Sequence, residues 1–401
     1  MTSQSQFPEI GIICFVPDNW SSTWTTRHHI ITRLGRYFKV FWVNPTPYWR
    51  EIFNLKNFLK NSKKTDYKND LGIYIHTPFM MFPKFYSPKI LASFSEYLRL
   101  YYLQKFVTSI GIKKILLYIW RPDFCEMLFK IKHDWSCYHI DDEYSFSEKE
   151  QPLGTNEKVL LSSTDQVIIH SPALMEKKGK FNKNTLYVTN GVDYKSYILP
   201  HKEPKDLINI PHPRIVYVGM IKKQLNLQLL LDLSKRHSMW NFIFIGPKNA
   251  TVNDTLYNRL YEQKNVYFLG KKSVEDLPKY IQHMNVGLLP YLLNDYTKYI
   301  YPLKLHEYLA SGLPAVGSSI RSLKDFSHVI YLANSIDEWS ESIEKALKPE
   351  EMSKEKVSIR QSVAKEYDWD HLVFKIAKSF CGLLGNDYVE QLDTFIQNQK
   401  V

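Results

Sequence analysis

Arg214-Ile215-Val216-Tyr217-Val218-Gly219 is a short strand-forming run closed by a glycine, and it follows the polar stretch His201–Pro213, which holds Pro204, Pro211 and Pro213. A strand therefore starts afresh at Arg214, and the proline-rich stretch before it is a seam. Toward the C-terminus the same kind of run recurs at Phe242–Ile245, Val266–Leu269, Val286–Pro290, Ala315–Gly317 and Val329–Leu332. Toward the N-terminus it occurs at Ile10–Val16, Lys39–Val43, Gly72–His76, Lys114–Trp120, Cys137–Ile140, Gln166–His170 and Thr185–Val188. Amphipathic stretches such as Trp24–Tyr37, Leu91–Thr108 and Pro172–Lys180 lie between them. Strands that are apolar throughout, rather than at alternate positions, are buried on both faces, as in parallel sheets covered by helices. The pattern predicts an α/β protein of two Rossmann-like doubly wound domains, 1–195 and 210–365, facing each other across a cleft. The helical closing segment, including 366–401, is expected to cross back onto the first domain. Ligands of such sheets bind beyond the carboxyl ends of the strands, so the cleft is the expected site.

The 401 residues suffice for two cores, and 44% hydrophobic with 23% charged residues excludes a disordered chain. Fifty-two Lys and Arg against 41 Asp and Glu leave a net charge of +11, which favours anionic partners: nucleic acid, acidic phospholipid or phosphorylated small molecules. Cys14, Cys125, Cys137 and Cys381 form no CxxC pair, so neither a zinc site nor a disulfide framework is expected, and a reducing compartment fits. Met1–Glu9 is polar, without the pattern of a signal peptide, and no apolar run reaches the roughly 20 residues of a membrane span. The expectation is a cytoplasmic protein that touches a membrane only peripherally.

The most informative stretch for chemistry is Tyr301-Pro302-Leu303-Lys304-Leu305-His306-Glu307-Tyr308-Leu309-Ala310-Ser311-Gly312-Leu313-Pro314. Pro302 suits a first helical position, and Gly312 before Pro314 suits an end. Lys304 then lies in the first turn, where free N–H groups already favour a phosphate, and Glu307 lies about 4.5 Å further along the axis. That offset lets a cation meet a diphosphate while a carboxylate accepts ribose hydroxyls. A solvated i, i+3 ion pair is the plainer reading of the same spacing.

Pro302–Pro314 resembles the PLKxxEYLAxGxP signature of GT-B glycosyltransferases of the bacterial polysaccharide type. Val16–Trp20 with Trp24–Arg27, Val40–Pro45, Tyr138–Tyr144, Ser171–Leu174, Asn190–Asp193, Ile215–Gly219, Phe244–Pro247 and Asn285–Tyr291 resemble further segments of the group, in the same order. The resemblance implies transfer of a sugar from a nucleoside-diphosphate-sugar donor on the second domain to a saccharide or lipid-linked acceptor on the first. It implies no cofactor, the nucleotide sugar being a co-substrate, and no metal. Glu307 would hold the donor ribose and Lys304 the diphosphate. Gly219, Lys222, Lys223, Gly246, Pro247, Pro302 and Leu303 would line the donor pocket. Two positions depart from the group: Tyr299 stands where many relatives carry a second glutamate, leaving it as a donor contact of altered chemistry, and Met220 stands where many carry arginine. Lys222 and Lys223 can replace that arginine's charge.

A departing diphosphate gathers negative charge, which placed cations and helix N-termini stabilise without a metal; Lys304 is thus also a catalytic candidate. Asp142, with Asp141 next, is the candidate for deprotonating the acceptor hydroxyl. A base suits inversion at the anomeric carbon. A retaining enzyme needs none, and Asp141 and Asp142 would then bind acceptor or cap Tyr144–Ser147. Trp20, Ser22, Thr23 and Arg27, in the loop after the first strand, are the acceptor candidates, with His28 also facing substrate or capping the helix. Tyr48–Lys68 has six Lys and Arg against two acids, and Phe79–Phe106 holds nine aromatics. Such a surface suits an anionic membrane carrying a lipid-linked acceptor, or lysines snorkelling over a buried aromatic core. Other classes are a nucleotide-sugar epimerase of the same fold, a silent sugar-binding homologue, and a nucleic-acid binder. The last lacks any recognisable motif, and no nucleic acid is expected.

Overall fold

A computed structural model describes residues 5–49, 66–79, 81–146 and 149–399. Eight strands form the first sheet: β1 Phe7–Phe15, β2 Phe38–Val43, β3 Asp66–Lys68, β4 Tyr74–His76, β5 Lys114–Ile119, β6 Trp135–Ile140, β7 Gln166–Ile169 and β8 Thr185–Tyr187. Their order is β3-β4-β2-β1-β5-β6-β7-β8, parallel apart from β3 against β4. Six form the second: β9 Arg214–Val218, β10 Asn241–Ile245, β11 Val266–Gly270, β12 Val286–Leu289, β13 Ala315–Ser318 and β14 Tyr331–Ala333. Their order is β11-β10-β9-β12-β13-β14, parallel throughout. Each sheet winds outward in both directions from its first strand, so a crevice opens beside β1 and beside β9, at the carboxyl ends. The central strands are apolar on both sides because both faces are covered. Ile12, Ile13, Ile215 and Val216 are all buried. Two of the connecting helices carry labels of their own: α1, Lys89–Ser109, leads from β4 to β5, and α2, Leu303–Ala310, leads from β12 to β13.

The chain passes between the domains twice, and the two crossings pair: Val192 N–H donates to Tyr367 O at 2.9 Å and Trp369 N–H to Val192 O at 2.9 Å. Gly191 is required there, since a Cβ would lie 2.5 Å from the Tyr367 carbonyl oxygen. Beyond the second crossing the helices Trp369–Leu384 and Asn386–Gln399 return to the first domain. Trp369, Leu372, Val373, Ile376 and Phe380 recur at helical spacing and share a core with Phe7, Ile30, Leu34 and Phe38. The architecture is GT-B: two doubly wound domains with a returning C-terminal helix.

Two details differ from the sequence reading. Strand β3 was not foreseen. Pro302 caps α2 from outside (φ −72°, ψ 122°) rather than occupying its first turn. Most of the basic stretch Tyr48–Lys68 and Met80 lie outside the described residues. Among the described residues no helix is long and apolar enough to cross a membrane.

Candidate functional site

Gly219 follows strand β9 and Gly246 follows β10, with φ of 131° and 150°. Gly219 N–H donates to Ile245 O at 2.7 Å, and Gly246 N–H to Gly270 O at 2.9 Å, so both loops are drawn tight against the sheet edge. A Cβ on Gly219 would fall 2.3 Å from Lys304 Cε, and one on Gly246 would fall 2.1 Å from Gly219 O. These glycines therefore make room for each other and for the Lys304 side chain. Pro247 O accepts Ile221 N–H at 2.9 Å and fixes the turn that carries Lys222.

Helix α2 is pinned from behind. The Tyr308 hydroxyl accepts Val218 N–H at 3.0 Å and donates to Val216 O at 3.3 Å, joining the helix to β9. His306 is buried, which lowers its pKa to about 3, and it stacks on Tyr367 with ring centroids 4.1 Å apart. Lys304 and Glu307, on the opposite side, stay partly exposed to the cleft. Burial lowers the pKa of Lys304, opposed by the charge of Glu307 and reinforced by that of Lys222. Lys222 is lowered by burial too, opposed by Asp142. Neither ammonium forms an ion pair with a described residue. Two cations thus share one end of the cleft without a paired anion, an arrangement that costs energy until an anion arrives. Burial raises Glu307, which faces the Tyr197 hydroxyl.

Across the cleft, Asp141 and Asp142 leave the carboxyl end of β6 in different directions. Asp141 meets Arg27 Nη2 at 2.6 Å and accepts a hydrogen bond from the Tyr144 hydroxyl. Burial alone would raise its pKa; Arg27 overrides that and holds it below the ordinary range. Asp142 is raised, first by burial and then by the charge of Asp141. Its carboxylate accepts the hydroxyl of Tyr296, from the second domain, at 2.9 and 3.0 Å to its two oxygens. His139 and His170 beside them are kept neutral by burial, His139 with its pKa near 3.

Asp142, Arg27, Arg121, Tyr144, Lys223 and Tyr296 line a cavity of about 700 Å³ between the domains. Glu307, Tyr197, Trp24, His29, Arg33 and Trp369 line a second, of about 390 Å³, on the hinge side. The loop carrying the two aspartates rests on buried charge. Lys178 Nζ lies 3.0 Å from Glu143 Oε1 and 2.6 Å from Glu157 Oε1, and the Ser145 hydroxyl donates to Glu143 at 2.7 Å.

The candidates named from sequence thus fall into groups. Lys304, Glu307, Gly219, Lys222, Gly246 and Pro247 come together at one end of the second sheet, with Lys223 reaching the larger cavity. Leu303 leans instead on the first-domain core. Tyr299 is a correction: it is buried in another first-domain core, with Ile13, Tyr138 and Ile140, its hydroxyl on Glu150 at 2.7 Å, because the turn Thr297–Tyr299 folds it onto the first domain and away from Glu307. Of the acceptor candidates, Arg27 lines the larger cavity between Asp18 and Asp141. Trp20 is wedged against Trp42 and His28, and Ser22 and Thr23 stand exposed on a turn that lines neither cavity. His28 is buried: its Nδ1 accepts Thr25 N–H at 3.2 Å and its Nε2 donates to Trp20 O at 3.2 Å, a helix cap and not a substrate contact. Sequence reasoning missed Tyr296, Tyr144, Arg121 and the Lys178 cluster.

Residues 212–348 match the family of glycosyl transferases, group 1. The chain is 28% identical over 199 residues to TuaH of Bacillus subtilis, a putative teichuronic acid biosynthesis glycosyltransferase, covering 48% of this chain and 49% of that one. The chain thus spans about half the length of this curated relative. Sucrose-phosphate synthase from Thermosynechococcus elongatus has a similar fold, with a TM-score of 0.71 at 14% identity, over 94% of this chain and 99% of that chain. So does Anabaena HepE in complex with UDP-glucose, with a TM-score of 0.65 at 13% identity, over 93% and 99%.

Proposed function

On this GT-B frame, whose second domain matches the group 1 glycosyl transferases, we propose that the protein moves a sugar from a nucleoside-diphosphate donor to a hydroxyl of a saccharide or lipid-linked acceptor. The observation that carries the reading is the pair of unpaired ammonium groups, Lys222 and Lys304, set beside the Gly219 loop with Glu307 one turn along. A diphosphate against these cations and the start of α2 satisfies their charge, and Glu307 accepts the ribose hydroxyls. A uridine donor is favoured because HepE, of similar fold, is found with UDP-glucose. The acceptor occupies the larger cavity, and polysaccharide synthesis is favoured by the name of TuaH.

In the transfer step the acceptor oxygen bonds to the anomeric carbon as the bond from that carbon to the phosphate oxygen breaks. The acceptor proton passes to Asp142, whose raised pKa makes it a stronger base than an ordinary aspartate. The electron pair stays on the departing diphosphate, where Lys304 and Lys222 stabilise it. Asp141, neutralised by Arg27, positions the loop and takes no proton.

A panel of nucleotide sugars, incubated with oligosaccharide and lipid-linked acceptors in EDTA and read by mass spectrometry, tests the proposal. One nucleoside-diphosphate class is expected to yield glycosylated product and to raise the melting temperature. Absence of both effects for every donor overturns it.

A further inference from the structure

Helix α1 of the first domain turns only Ser95, Leu103 and Val107 fully inward. Its outer side is apolar where a surface helix is normally charged. Ile90 is 82% exposed, Phe94 59%, Tyr97 65% and Tyr101 49%, and their spacing of four, three and four residues sets them on one stripe. Met81 (67% exposed) joins them, because the Arg99 guanidinium donates to Phe82 O at 2.8 Å and to Pro83 O at 3.0 Å, tying the preceding loop to the helix.

The charge along this stretch is mainly positive. Residues 79–114 carry Lys84, Lys89, Lys105 and Lys113 against a single acid, Glu96, which meets Lys130, itself shared with Glu126; Arg99 and Lys114 are turned away, onto loop carbonyls and onto the Trp135 and Tyr388 rings. Two copies packed stripe to stripe would bring these lysines together, whereas an anionic bilayer surface complements them and accepts tyrosine and phenylalanine at headgroup depth. The helix runs antiparallel to the strands it connects, so its first turns, with Ile90 and Phe94, sit at the carboxyl end of the sheet, the end from which Asp142 enters the cleft.

We propose that this face docks the protein on anionic phospholipid, with the mouth of the cleft turned toward the bilayer. The contact does not depend on sugar transfer, and its test uses no nucleotide. The full chain is sedimented with vesicles of phosphatidylglycerol and phosphatidylcholine, or of phosphatidylcholine alone, in low and high salt. It is expected to pellet with the anionic vesicles in low salt and to be released by salt. Each basic residue at such a surface is worth roughly a factor of five, so Lys89→Glu with Lys105→Glu lowers partitioning by roughly 25-fold or more. Phe94→Glu with Tyr97→Glu is expected to abolish it. Both variants keep the wild-type melting temperature, since these side chains point outward. Wild-type protein left in the supernatant, or variants that pellet as it does, overturns the proposal. So does a concentration-dependent dimer that Phe94→Glu dissolves, which would give the face to a second copy.

Discussion

The hydroxyl of Tyr296 in the second domain lies 2.9 Å from one oxygen of Asp142 in the first domain and 3.0 Å from the other. Phe146 packs on the Tyr296 ring at 5.3 Å, and Lys298 meets Glu150 at 3.0 Å, so the loop 294–299 spans the cleft at the carboxylate assigned as base. The second domain therefore helps set the proton affinity of a group on the first.

Tyr296→Phe removes a hydrogen bond that stabilises the charged form of Asp142. The Asp142 pKa then rises further, and because the base works deprotonated, the acidic limb of kcat/KM moves to higher pH. A charge-assisted hydrogen bond implies a displacement of about one pH unit. An unmoved limb shows that Asp142 is not the titrating base.

Asp142→Asn keeps an acceptor for the Tyr296 hydroxyl but no base, so donor binding persists while turnover is lost. A carboxyl whose folded pKa stands above its unfolded value favours the fold in acid and costs stability once the pH rises through the folded pKa. The variant is therefore expected to melt higher than wild type at pH 7, and calorimetry checks the sign.

Much of this was legible in advance where local chemistry decided the matter. Continuous apolar strands gave both parallel sheets, and the 302–314 stretch gave Lys304 and Glu307. Strand β3 was not legible because three residues, Asp66, Tyr67 and Lys68, pair antiparallel at a sheet edge with no apolar run. The resemblance placed Tyr299 among the donor contacts, but the turn Thr297–Tyr299 delivers its ring to the other domain. Asp141 and Asp142 are adjacent, and only the arrival of Arg27 from one side and Tyr296 from the other separates a neutralised carboxylate from a basic one. Such partners lie more than a hundred residues away and leave no local mark.

Gly219→Ala places a methyl group against Lys304 Cε, the end of a flexible chain, at a φ of 131°. Lys304 is displaced, and donor affinity falls while the fold survives. In Gly246→Ala the methyl meets the Gly219 backbone instead, which cannot step aside, so the melting temperature falls as well. Thermal scans with and without nucleotide sugar separate the two outcomes.

Lys178→Met leaves Glu157 buried without its cation and Glu143 with Lys177 alone, at 3.1 Å, at a cost of about 3–5 kcal/mol. Burial alone would raise the pKa of Glu143, but Lys178 and Ser145 draw it below the ordinary value. Wild-type stability from this carboxylate is present at neutral pH and lost as the pH falls through the folded pKa. The variant lacks much of it already at pH 7, and urea titrations at pH 7 and at a pH below the folded pKa measure the difference.

The most direct test is calorimetric titration of UDP into wild-type protein and into Lys304→Ala, in EDTA. Saturable binding to wild type is predicted, and binding at least about tenfold weaker to the variant, the loss expected for one charge-assisted contact. Equal affinity for both proteins would contradict the assignment, because the diphosphate would then lie away from the start of α2.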